Sequence, residues 1–450
     1  MSGPDVLAAA VPPSLTGAFD SDASACSHAW ARMASVLARL PARPRRSAAE
    51  AIAAAHLLEQ GRALRDRFLR THARFLYDRL TGGMTRFLRV DALAYEAAAM
   101  VPGLAPTREQ VAAESALAQK DKEGLEVDQG LLLAHVLAAP DAGRHLCHAM
   151  LLPRPESAQH LARLRRDGAV ALATAAVRRD GKATIVESRN PRFLNAEDED
   201  TLDDFEIAVD LAILDAATPI AVLRGGRVDH PKYAGRRIFS AGINLTHLYQ
   251  GRISFLWYLR RDMGPLNKMF RGVATPEAEP DDARAATPEK PWIAAVDTFA
   301  IGGGCQILLV MDYVLAGRGA FLTLPARKEG IIPGAANLRL PRFTGDRIAR
   351  QLISQGRGLD CDSPEGRLIC DEIAAPGDMD AALARVVEDL TTSGAVSLVG
   401  NRRALRVGTE PLDTFRAYMA VYAREQALCH FSPQLIANLE QNWRASERRA

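Results

Sequence analysis

Apolar and polar positions follow a helical period in the first third of the chain. Up to about residue 165 apolar residues recur every three or four positions among strong helix formers, as in SAAEAIAAAHLLEQGRALRDRFLRTHARFLYDRL (47–80). Ser47 followed by Glu50 is a capping-box pattern at the start of that run. The segment GLLLAHVLAAP (130–140) predicts a buried helix that ends before its proline. We therefore predict an all-helical N-terminal domain over residues 1–165.

From about Gly168 the pattern changes to short apolar runs separated by helical stretches. AVALATAAVRR and KATIVES flank the turn Asp180-Gly181, and DEDTLDDFEIAVDLAILDA follows as a helix. IAVLRG, RRIFSAG, WIAAVDTFAIGGG and VLAGRGAFLTL then predict strands. Strands that are apolar throughout and alternate with helices indicate an α/β core with a sheet covered on both faces. We place this core at 166–375, with a surface loop or disordered insert at 274–290 and C-terminal helices at 376–450.

Composition excludes several classes of protein. The 450 residues include 56 basic and 54 acidic side chains, a formal net charge of +2, so no global field favours nucleic acid or anionic lipid. Six scattered cysteines do not form a disulfide framework. The N-terminus does not have the pattern of a secretory signal, and no apolar stretch approaches the roughly 20 residues that cross a bilayer. We expect a soluble, cytoplasmic protein with no nucleic-acid or membrane partner.

Two glycine-bearing turns are the strongest candidates for chemistry. SAGINL (240–245) follows a predicted strand, and IGGGCQ (301–306) follows another and opens a helix. Glycine permits close backbone approach, and a helix N-terminus presents unpaired N–H groups. Two such turns facing each other can aim two peptide donors at one oxygen, which is an oxyanion hole. The alternative, that GGG only fits a tight turn, would be preferred for a lone triplet but not for two turns on this scaffold.

The sequence predicts no metal centre and no nucleotide cofactor. His145-Leu146-Cys147-His148 and Cys429-His430 lie in predicted helices, where adjacent residues do not share a face. Cys361 and Cys370 lack a matching ligand pair. No GxGxxG follows a strand, and the glycine triplet does not match a P-loop.

These pieces together resemble the crotonase (enoyl-CoA hydratase/isomerase) superfamily. The resemblance rests on ATIVESRNPRFLNAEDEDTLDDF, IAVLRGG, IFSAGINL, KPWIAAVDTFAIGGGCQILLVMDYVLAG and FLTLPARKEGIIPGAANLRLPRFTG, which span about 168–360 in family order. It implies a core of repeated ββα units arranged in a spiral. It also implies C-terminal oligomerisation helices and a homo-oligomer, either a trimer or a dimer of trimers.

The crotonase resemblance also assigns roles to the two glycine turns. It implies that the peptide N–H groups of Ile243 and Gly303 hold the thioester carbonyl of an acyl-CoA. The glycines beside these donors would contact the bound substrate as well. They are Gly242 in the first turn and Gly302 and Gly304 in the second.

Two positions depart from the hydratases of that superfamily. Hydratases use two glutamates as acid and base, and the matching residues here are Gln306 and Ala326. Glutamine does not take up a proton at neutral pH, and alanine has no acid–base function. Ordinary hydration chemistry is therefore not expected, whereas an oxyanion hole that stabilises an enolate is retained.

A narrower resemblance accounts for the departures. The helical N-terminal extension, the block RGGRVDHPKYAGRRIFSAGINLTHLYQGRISFLWYLRRDMGPLNK and Gln306 are similar to the cofactor-independent dioxygenases of glycopeptide-antibiotic pathways. The resemblance implies conversion of 3,5-dihydroxyphenylacetyl-CoA and O₂ to 3,5-dihydroxyphenylglyoxylate and free CoA, towards dihydroxyphenylglycine. It implies no cofactor and no metal, because a carbanion conjugated to an electron-rich ring would reduce O₂ directly. CoA enters only as part of the substrate.

The same resemblance implies roles for single residues. Glu197 and Gln306 would meet ring hydroxyls, Arg261 would favour an ionised phenol, and His230 would lie near the thioester or ring. Leu245 and Ile331 are candidates for the wall of an O₂ pocket. Each also has an ordinary structural interpretation: a helix-start acid, a buried hydrogen-bonding amide, half of a surface ion pair, a loop histidine, or plain core.

A local basic patch is the candidate site for the CoA phosphates. Its five cations fall within fourteen residues directly before the first glycine turn, and guanidinium groups suit phosphate. A solvated loop is the competing interpretation for any one of them. The patch comprises Arg224, Arg227, Lys232, Arg236 and Arg237.

Two other functions stay open at this point. A thioesterase or ring-forming synthase on the same fold would use an enolate without consuming O₂. A non-enzymatic acyl-CoA-binding protein would release nothing, although both oxyanion turns are retained. No residue stands out as the base that removes the α-proton, for which the substrate's own phenolate or a water chain are alternatives, and the order of thioester cleavage and O–O chemistry stays open.

Overall fold

The computed structural model describes residues 9–279 and 287–448. These residues belong to two units that interleave along the chain. The first comprises the described residues up to Ala149 together with Leu248–Leu256 and Arg416–Ala437. The second comprises Met150–His247, Trp257–Phe415 and the described residues from Asn438 onward. The predicted boundaries at 165 and 375 stay a prediction.

From residue 9 to residue 167 the described chain forms helices joined by turns. Ser47 and Glu50 form the predicted capping box: the Ser47 hydroxyl accepts from the Glu50 N–H at 3.3 Å, and the Glu50 carboxylate accepts from the Ser47 N–H at 2.9 Å. No strand precedes residue 169 in the described part of the chain. The helices are α1 (Phe19–Leu37), α2 (Ala48–Thr81), α3 (Val90–Met100), α4 (Arg108–Ser115), α5 (Val127–Ala138), α6 (Pro140–Leu151) and α7 (Ser157–Asp167).

Two sheets form the core of the second unit. The larger has the order β1-β2-β3-β4-β5-β7-β10, antiparallel from β1 to β3 and parallel from β3 onward, and the smaller has the order β6-β8-β9. The strands are β1 (Ala169–Ala171), β2 (Ala175–Asp180), β3 (Ala183–Ser188), β4 (Ile220–Gly225), β5 (Trp292–Val296), β6 (Phe299–Ile301), β7 (Tyr313–Gly317), β8 (Phe321–Thr323), β9 (Gly358–Asp360) and β10 (Glu372–Ala374).

Helices cover both faces of the large sheet, as the apolar strands predict. Val186 and Leu223 face a cluster that includes Phe205, while Val222 on the opposite face packs with Leu383. The remaining helices are α8 (Glu199–Leu214), α9 (Leu245–Tyr249), α10 (Phe255–Arg261), α11 (Asn267–Arg271), α12 (Gly303–Leu308), α13 (Ala326–Glu329), α14 (Ala336–Gln355), α15 (Met379–Thr392), α16 (Ala395–Thr409), α17 (Leu412–His430) and α18 (Pro433–Trp443).

Two predictions on this part of the chain were wrong. RRIFSAG is not a strand: it makes only the single bridges Arg227↔Arg237 and Ser240↔Ala300, because glycines with positive φ at 235 and 242 bend the backbone. Residues 274–290 were expected to be a surface loop or disordered insert; residues 275–279 are exposed or half-buried as expected, but Glu289 near the other end is buried among the arginines of α16. Residues 280–286 of that segment lie outside the described residues.

A buried carboxylate joins the C-terminal part of the second unit to its core. Glu410 accepts from Arg339 at 2.8 and 2.9 Å and also pairs with Arg271 and Arg342. Burial by itself raises the pKa of this carboxyl, but the surrounding guanidinium groups outweigh it and lower the pKa to about 2. We call Glu410 and its three arginines the Glu410 clasp.

None of the helices in the described ranges combines the length and the hydropathy that crossing a bilayer requires.

Candidate active site

The two predicted glycine turns lie against each other. Gly242 has a φ of +81°, and a Cβ added there would lie 2.8 Å from the Ile301 carbonyl oxygen and 3.1 Å from the Gly303 nitrogen. The first distance is shorter than a Cβ tolerates, so this position requires glycine both for its backbone conformation and for close approach. The Ile301 N–H also donates to the Ser240 carbonyl at 3.0 Å, which joins the two turns.

Two peptide N–H groups are left unused where the turns meet. The Glu197 N–H donates to the Gly242 carbonyl at 2.7 Å and the Asn244 N–H donates to the Glu197 carbonyl at 2.8 Å, so this bridge does not use the N–H of Ile243. Gly303 is the first residue of α12, where helical N–H groups lack partners. Within the described residues neither N–H has a hydrogen-bond acceptor. Ile243 and Gly303 therefore have the arrangement that an oxyanion hole requires.

Gly302 and Gly304, the other two glycines of the second turn, have structural partners in place of the predicted substrate contact. The Gly302 N–H donates to the Thr323 carbonyl in β8 at 2.8 Å, and its carbonyl accepts from the Gln306 N–H at 3.1 Å. Both of its hydrogen-bonding groups therefore have partners within the protein. A Cβ added to Gly304 would lie only 2.8 Å from Ser240 Cβ, so Gly304 packs against the first turn. Both glycines position Gly303, and a contact of either with substrate stays a prediction.

Arg261 is the centre of a buried network beside these turns. Its Nε and Nη2 donate to the Glu197 carboxylate, Nη1 donates to Gln306 Oε1 at 2.8 Å and to Asp262 at 3.3 Å, and Nη2 donates to the Gly303 carbonyl at 2.9 Å. The Arg261 side chain is only 3% exposed. The network brings three predicted site residues (Glu197, Arg261 and Gln306) to the turn that carries Gly303.

Arg261 was predicted to favour an ionised phenol of the substrate, and this role stays a prediction. Its guanidinium is engaged by protein acceptors, so its charge is balanced within the site, and it positions Glu197 and Gln306. Because Gln306 Oε1 accepts from Arg261, the two N–H donors of its amide point elsewhere. The Glu197 side chain keeps 13% exposure and is acceptor-only when ionised. The network thus presents one amide donor and one carboxylate acceptor.

Gly334 packs against Asp262 and Gln306 in the Arg261 network, and the sequence analysis did not identify it as a site residue. Its φ is +46°, and a Cβ there would lie 2.6 Å from both Asp262 Oδ2 and Gln306 Oε1. Asp262 starts a π-helical turn, Asp262–Leu266, inside which Gly264 has non-helical backbone angles. Turns of this kind recur at functional sites. The available signal was the Pro-Gly pair in EGIIPGA, which sequence reasoning used only to match a family.

A cavity of about 390 Å³ opens on the first turn. Its wall includes Ile243, Leu245 and His230, three predicted site residues. His230 is half-buried, and its Nδ1 accepts from the Lys232 N–H at 3.2 Å. Ile331, the second residue predicted to line an O₂ pocket, does not line this cavity.

The same cavity is lined by cations that the sequence did not suggest. Arg192 follows β3 and Arg448 comes from near the C-terminus, and neither has an acidic partner among the described residues. Arg448 stacks over the Trp443 ring at 4.3 Å, and Trp443 also lines the cavity. No local signal links positions 192 and 448, which are far apart in the chain.

Two of the five cations in the predicted basic patch are paired with carboxylates. Arg224 is paired with Asp297 at 2.6 Å and with Asp380, and Arg237 is paired with Glu187 at 2.6 Å. Burial alone would lower the pKa of Arg224, but its two carboxylates raise it. The others have no acidic partner among the described residues: Arg227 donates to the Gly235 carbonyl, and Lys232 and Arg236 lie 5.1 and 5.9 Å from the Tyr233 ring.

Comparison with known proteins shows the family. The profile described as enoyl-CoA hydratase/isomerase matches residues 182–407, half of the chain. A protein from Amycolatopsis orientalis named (3,5-dihydroxyphenyl)acetyl-CoA 1,2-dioxygenase is 45% identical over 429 residues, 95% of this chain and 97% of its own length. The chain belongs to the enoyl-CoA hydratase/isomerase family.

More distant members cover only part of the chain. The short-chain-enoyl-CoA hydratase of Clostridium acetobutylicum is 26% identical over 53% of this chain and 84% of its own length. The crystal structure of an enoyl-CoA hydratase from Mycobacterium avium subsp. paratuberculosis is 18% identical, covers 61% of this chain and 97% of its own, and has a TM-score of 0.49.

The two positions that the resemblance matches to the acid and base of the hydratases, Gln306 and Ala326, carry no ionisable side chain. Gln306 is held by Arg261, and Ala326 is buried at the start of α13. One turn later in α13, burial raises the pKa of Glu329 to about 7. Glu329 carries no arginine partner in the described part of the chain, which distinguishes it from Glu197 and Glu410.

One group of side chains lies within metal-ligand reach of one another: Asp198, Asp200 and His247. Asp198 Oδ2 is 3.1 Å from His247 Nδ1 and accepts from the amides of Asn244 at 2.9 Å and Asn190 at 3.2 Å. Burial raises the pKa of Asp198, but these donors outweigh it and lower it. Amide hydrogens around this oxygen favour a hydrogen-bonded anchor for the first turn over a cation site. The absence of a metal stays a prediction.

Proposed function

We propose that the protein is a dioxygenase that converts 3,5-dihydroxyphenylacetyl-CoA and O₂ to 3,5-dihydroxyphenylglyoxylate and free CoA. The observation that carries the proposal is the relative of that name, which matches 95% of this chain, including the N-terminal helices that the hydratases do not cover. The stoichiometry balances: Cα is oxidised from CH₂ to a ketone, O₂ supplies both added oxygens, and the two hydrogens leave on the new carboxylic acid and on the CoA thiol.

The first step is formation of an enolate. The thioester oxygen accepts from the N–H groups of Ile243 and Gly303, and loss of the α-proton moves negative charge onto that oxygen. Preorganised peptide donors stabilise such charge because they need not reorient as it develops. The carbanion, conjugated to the dihydroxyphenyl ring, then gives electrons to O₂. Cleavage of the O–O bond leaves one oxygen on Cα as the ketone and the other on the carboxyl carbon, whose C–S bond breaks to release the CoA thiol. We propose that no cofactor or metal takes part.

The aryl group is recognised by the Arg261 network. Two ring hydroxyls meet one acceptor and one donor: the Glu197 carboxylate accepts from a hydroxyl, and the Gln306 amide donates to the other oxygen. Arg261 acts on the ring through both residues, since its guanidinium holds each of them. Buried, fully paired polar groups of this kind discriminate strongly against substrates that lack a hydroxyl.

The CoA moiety occupies the cavity beside Ile243. Arg192 and Arg448 are cations without acidic partners among the described residues, and Trp443 offers an aromatic face. Guanidinium groups suit phosphate and an indole suits an adenine ring. Of the patch predicted from the sequence, Arg227, Lys232 and Arg236 are better placed to meet phosphate than Arg224 and Arg237, whose charges are already balanced.

We further propose a homo-oligomer, a trimer or a dimer of trimers. Helix α16 buries Arg402 and Arg406 on one face, while Val396, Leu405 and Val407 on it are 89%, 67% and 53% exposed. Large apolar side chains left in water favour burial against a second copy of the chain. Sedimentation equilibrium would measure the assembly, and a monomer at micromolar concentration would contradict it.

Oxygen uptake tests the proposed function. Protein freed of metals is mixed with 3,5-dihydroxyphenylacetyl-CoA in an oxygen-electrode cell, and free CoA is assayed in the same sample. We expect equal molar uptake of O₂ and release of CoA, unchanged by chelator. CoA release without O₂ uptake would indicate a thioesterase, and neither signal would reject the proposed substrate or indicate a protein that only binds acyl-CoA.

A further inference from the structure

The first unit contains a cavity of its own. Its free volume is about 190 Å³, room for one organic molecule of roughly a dozen non-hydrogen atoms. Arg43, Gln119 and Lys120 line it together with residues from the end of α17 and the start of α18. All of these residues belong to the first unit, whereas Ile243 and Gly303 belong to the second. The cavity therefore shares no residue with the active site.

A buried amide in this wall lacks a hydrogen-bond donor. Gln119 is only 3% exposed, and its Nε2 donates to the His430 carbonyl at 2.7 Å. Because that partner is an acceptor, the orientation of the amide is fixed, and the oxygen is the atom left over. Within the described residues Gln119 Oε1 is buried without a hydrogen-bond partner. A ligand with an O–H or N–H group would offset the cost of burying this oxygen.

The charged side chains of the wall are cations. Arg43 is half-buried and donates to the Lys122 carbonyl, and Lys120 is exposed. Neither has an acidic partner among the described residues, and no acidic residue of that part of the chain lines the cavity. Burial and the charge of Lys122 lower the pKa of His430 to about 3, so its ring is neutral at pH 7. The wall therefore favours an anionic group, and a guanidinium suits a carboxylate.

An aromatic side chain supplies the apolar part of the wall. Phe431 is half-buried, and a Cβ added to Gly124, which has a φ of +81°, would lie 3.1 Å from its Cβ and Cγ. The His430 ring meets the Phe431 ring edge-on, with the centroids 4.7 Å apart. Ile436 adds an aliphatic surface from α18. Close packing on these sides holds the Phe431 ring in place, and a flat aromatic ligand packs well against such a ring.

We propose that this cavity binds a small aromatic carboxylate that carries a hydroxyl group. The carboxylate meets Arg43 and Lys120, the ring packs against Phe431, and the hydroxyl donates to Gln119 Oε1. The acid released in the proposed reaction, 3,5-dihydroxyphenylglyoxylate, has all three parts, so naming it as the ligand rests on the proposed function. A hydroxyaryl acid from another source, such as 3,5-dihydroxyphenylacetate, has the same chemistry.

Calorimetric titration tests the site without requiring turnover. The wild-type protein is first saturated with a non-reactive thioether analogue of the arylacetyl-CoA, and 3,5-dihydroxyphenylglyoxylate is then added. We expect one acid to bind per chain with a Kd that the analogue does not change. No binding, or binding that the analogue displaces, would overturn the proposal. Tighter binding of 3,5-dihydroxyphenylacetate would support the cavity as a site and reject the released acid as its ligand.

Matched ligands and variants test the separate contacts. Phenylglyoxylate lacks the hydroxyls and 1,3-dihydroxybenzene lacks the carboxylate, and each should bind about tenfold more weakly than 3,5-dihydroxyphenylglyoxylate. Arg43→Met should weaken binding of the acid about tenfold and leave 1,3-dihydroxybenzene unchanged. Arg45→Met, at an exposed arginine outside the cavity wall, is the control and should change neither. Equal losses with Arg43→Met and Arg45→Met would overturn the proposal.

The amide contact has its own variant. Gln119→Leu removes the oxygen and should abolish the difference in Kd between 3,5-dihydroxyphenylglyoxylate and phenylglyoxylate. A difference that persists in a folded variant would overturn this contact, and circular dichroism reports the fold. If Gln119→Leu does not fold, Arg43→Met and the matched ligands still decide the proposal. If the wild type consumes no O₂, the proposed function fails, whereas the titrations still decide whether the cavity takes a hydroxylated aromatic carboxylate.

Discussion

Two buried arginine–carboxylate networks in the second unit use the same chemistry for different ends. In the Glu410 clasp one carboxylate, fully buried, is shared by three arginines, two of which also lie near the Phe415 ring. In the active site one arginine is shared by a carboxylate, an amide and a peptide carbonyl, and the carboxylate borders a cavity. The clasp keeps its carboxylate fully buried, whereas the carboxylate of the Arg261 network is partly exposed. The two networks thus differ in whether their carboxylate is enclosed by the protein or borders a cavity.

The largest expected effect is on stability at the clasp. Glu410→Gln leaves Arg339, Arg342 and Arg271 without their shared anion, and we expect a loss of about 3–5 kcal/mol in the free energy of unfolding. Urea unfolding followed by circular dichroism measures it. Glu447→Gln, at an exposed acid 3.9 Å from Arg444, is the control and should change stability by less than about 1 kcal/mol. Equal effects of the two would contradict the role of the clasp.

At Arg261 the expected effect is on catalysis. Arg261→Lys keeps the charge but loses the forked donors that hold Glu197, Gln306 and the Gly303 carbonyl, so kcat should fall by about 10²–10³. A parallel loss in affinity for free CoA is not expected, because Arg261 does not line the cavity proposed for CoA. O₂ uptake and calorimetric titration with CoA separate the two. Full activity of the variant would contradict a role for Arg261 in the reaction.

Glu329 sharpens the comparison because it is a half-buried carboxyl without an arginine partner among the described residues. Its folded-state pKa of about 7 lies above the ordinary value of 4.5, so its contribution to stability is complete below pH 4.5 and is lost as pH rises through 7. Glu329→Gln should be more stable than the wild type at pH 8, by no more than about 3 kcal/mol, and nearly equal at pH 4.5. Urea unfolding from pH 4.5 to 8 tests this, and a constant difference across that range would reject it.

Gly334 tests how tightly the active-site network is packed. Gly334→Ala places a methyl group 2.6 Å from Gln306 Oε1 and Asp262 Oδ2 in a backbone with φ of +46°. We expect a stability loss of about 1–3 kcal/mol together with reduced kcat. Gly319→Ala, with φ of +80° and open space around it, carries the backbone strain alone and should leave kcat unchanged. If both variants lose the same activity, contact with Gln306 is not the cause.

The smallest effect is expected at an arginine that has no carboxylate partner. Arg448→Ala should raise the KM for the CoA thioester roughly fivefold, equivalent to about 1 kcal/mol. The pantetheine thioester of the same acid lacks the nucleotide, so its KM should not change. Arg444→Ala is the neighbouring control. An equal rise for both thioesters would show that Arg448 does not meet the nucleotide.

Local patterns predicted much of this molecule. The capping box of α2, the strands β2 to β4 and the two glycine turns rest on neighbouring residues whose backbone preferences act over a few positions. The family prediction also rests on these turns, because the residues that shape them lie within short, recognisable blocks. Comparison with known proteins confirms it. Glu197 and Gln306 were named because those blocks contain them.

What the sequence did not reveal depends on distant partners. Arg224 appears as a free cation in the sequence, but Asp297, 73 residues later, neutralises it. The engagement of Arg261 by Glu197 joins residues 64 positions apart, and Arg448 meets the first turn only through tertiary folding. RRIFSAG has strand-type composition, yet glycines at either end of its bend prevent it from pairing along its length.

Gly303 links the thioester contact and the recognition of the aryl ring in the proposed reaction. Its N–H faces the thioester oxygen in the proposed reaction, while its carbonyl accepts from Arg261, which holds the groups that would recognise the ring. Only one α-carbon separates those two peptide groups, and it bears no side chain. A lineage that altered ring recognition by moving Arg261 would therefore shift the thioester contact as well. We therefore expect changes in aryl preference to be reached by exchanging Glu197 or Gln306 around a fixed Arg261.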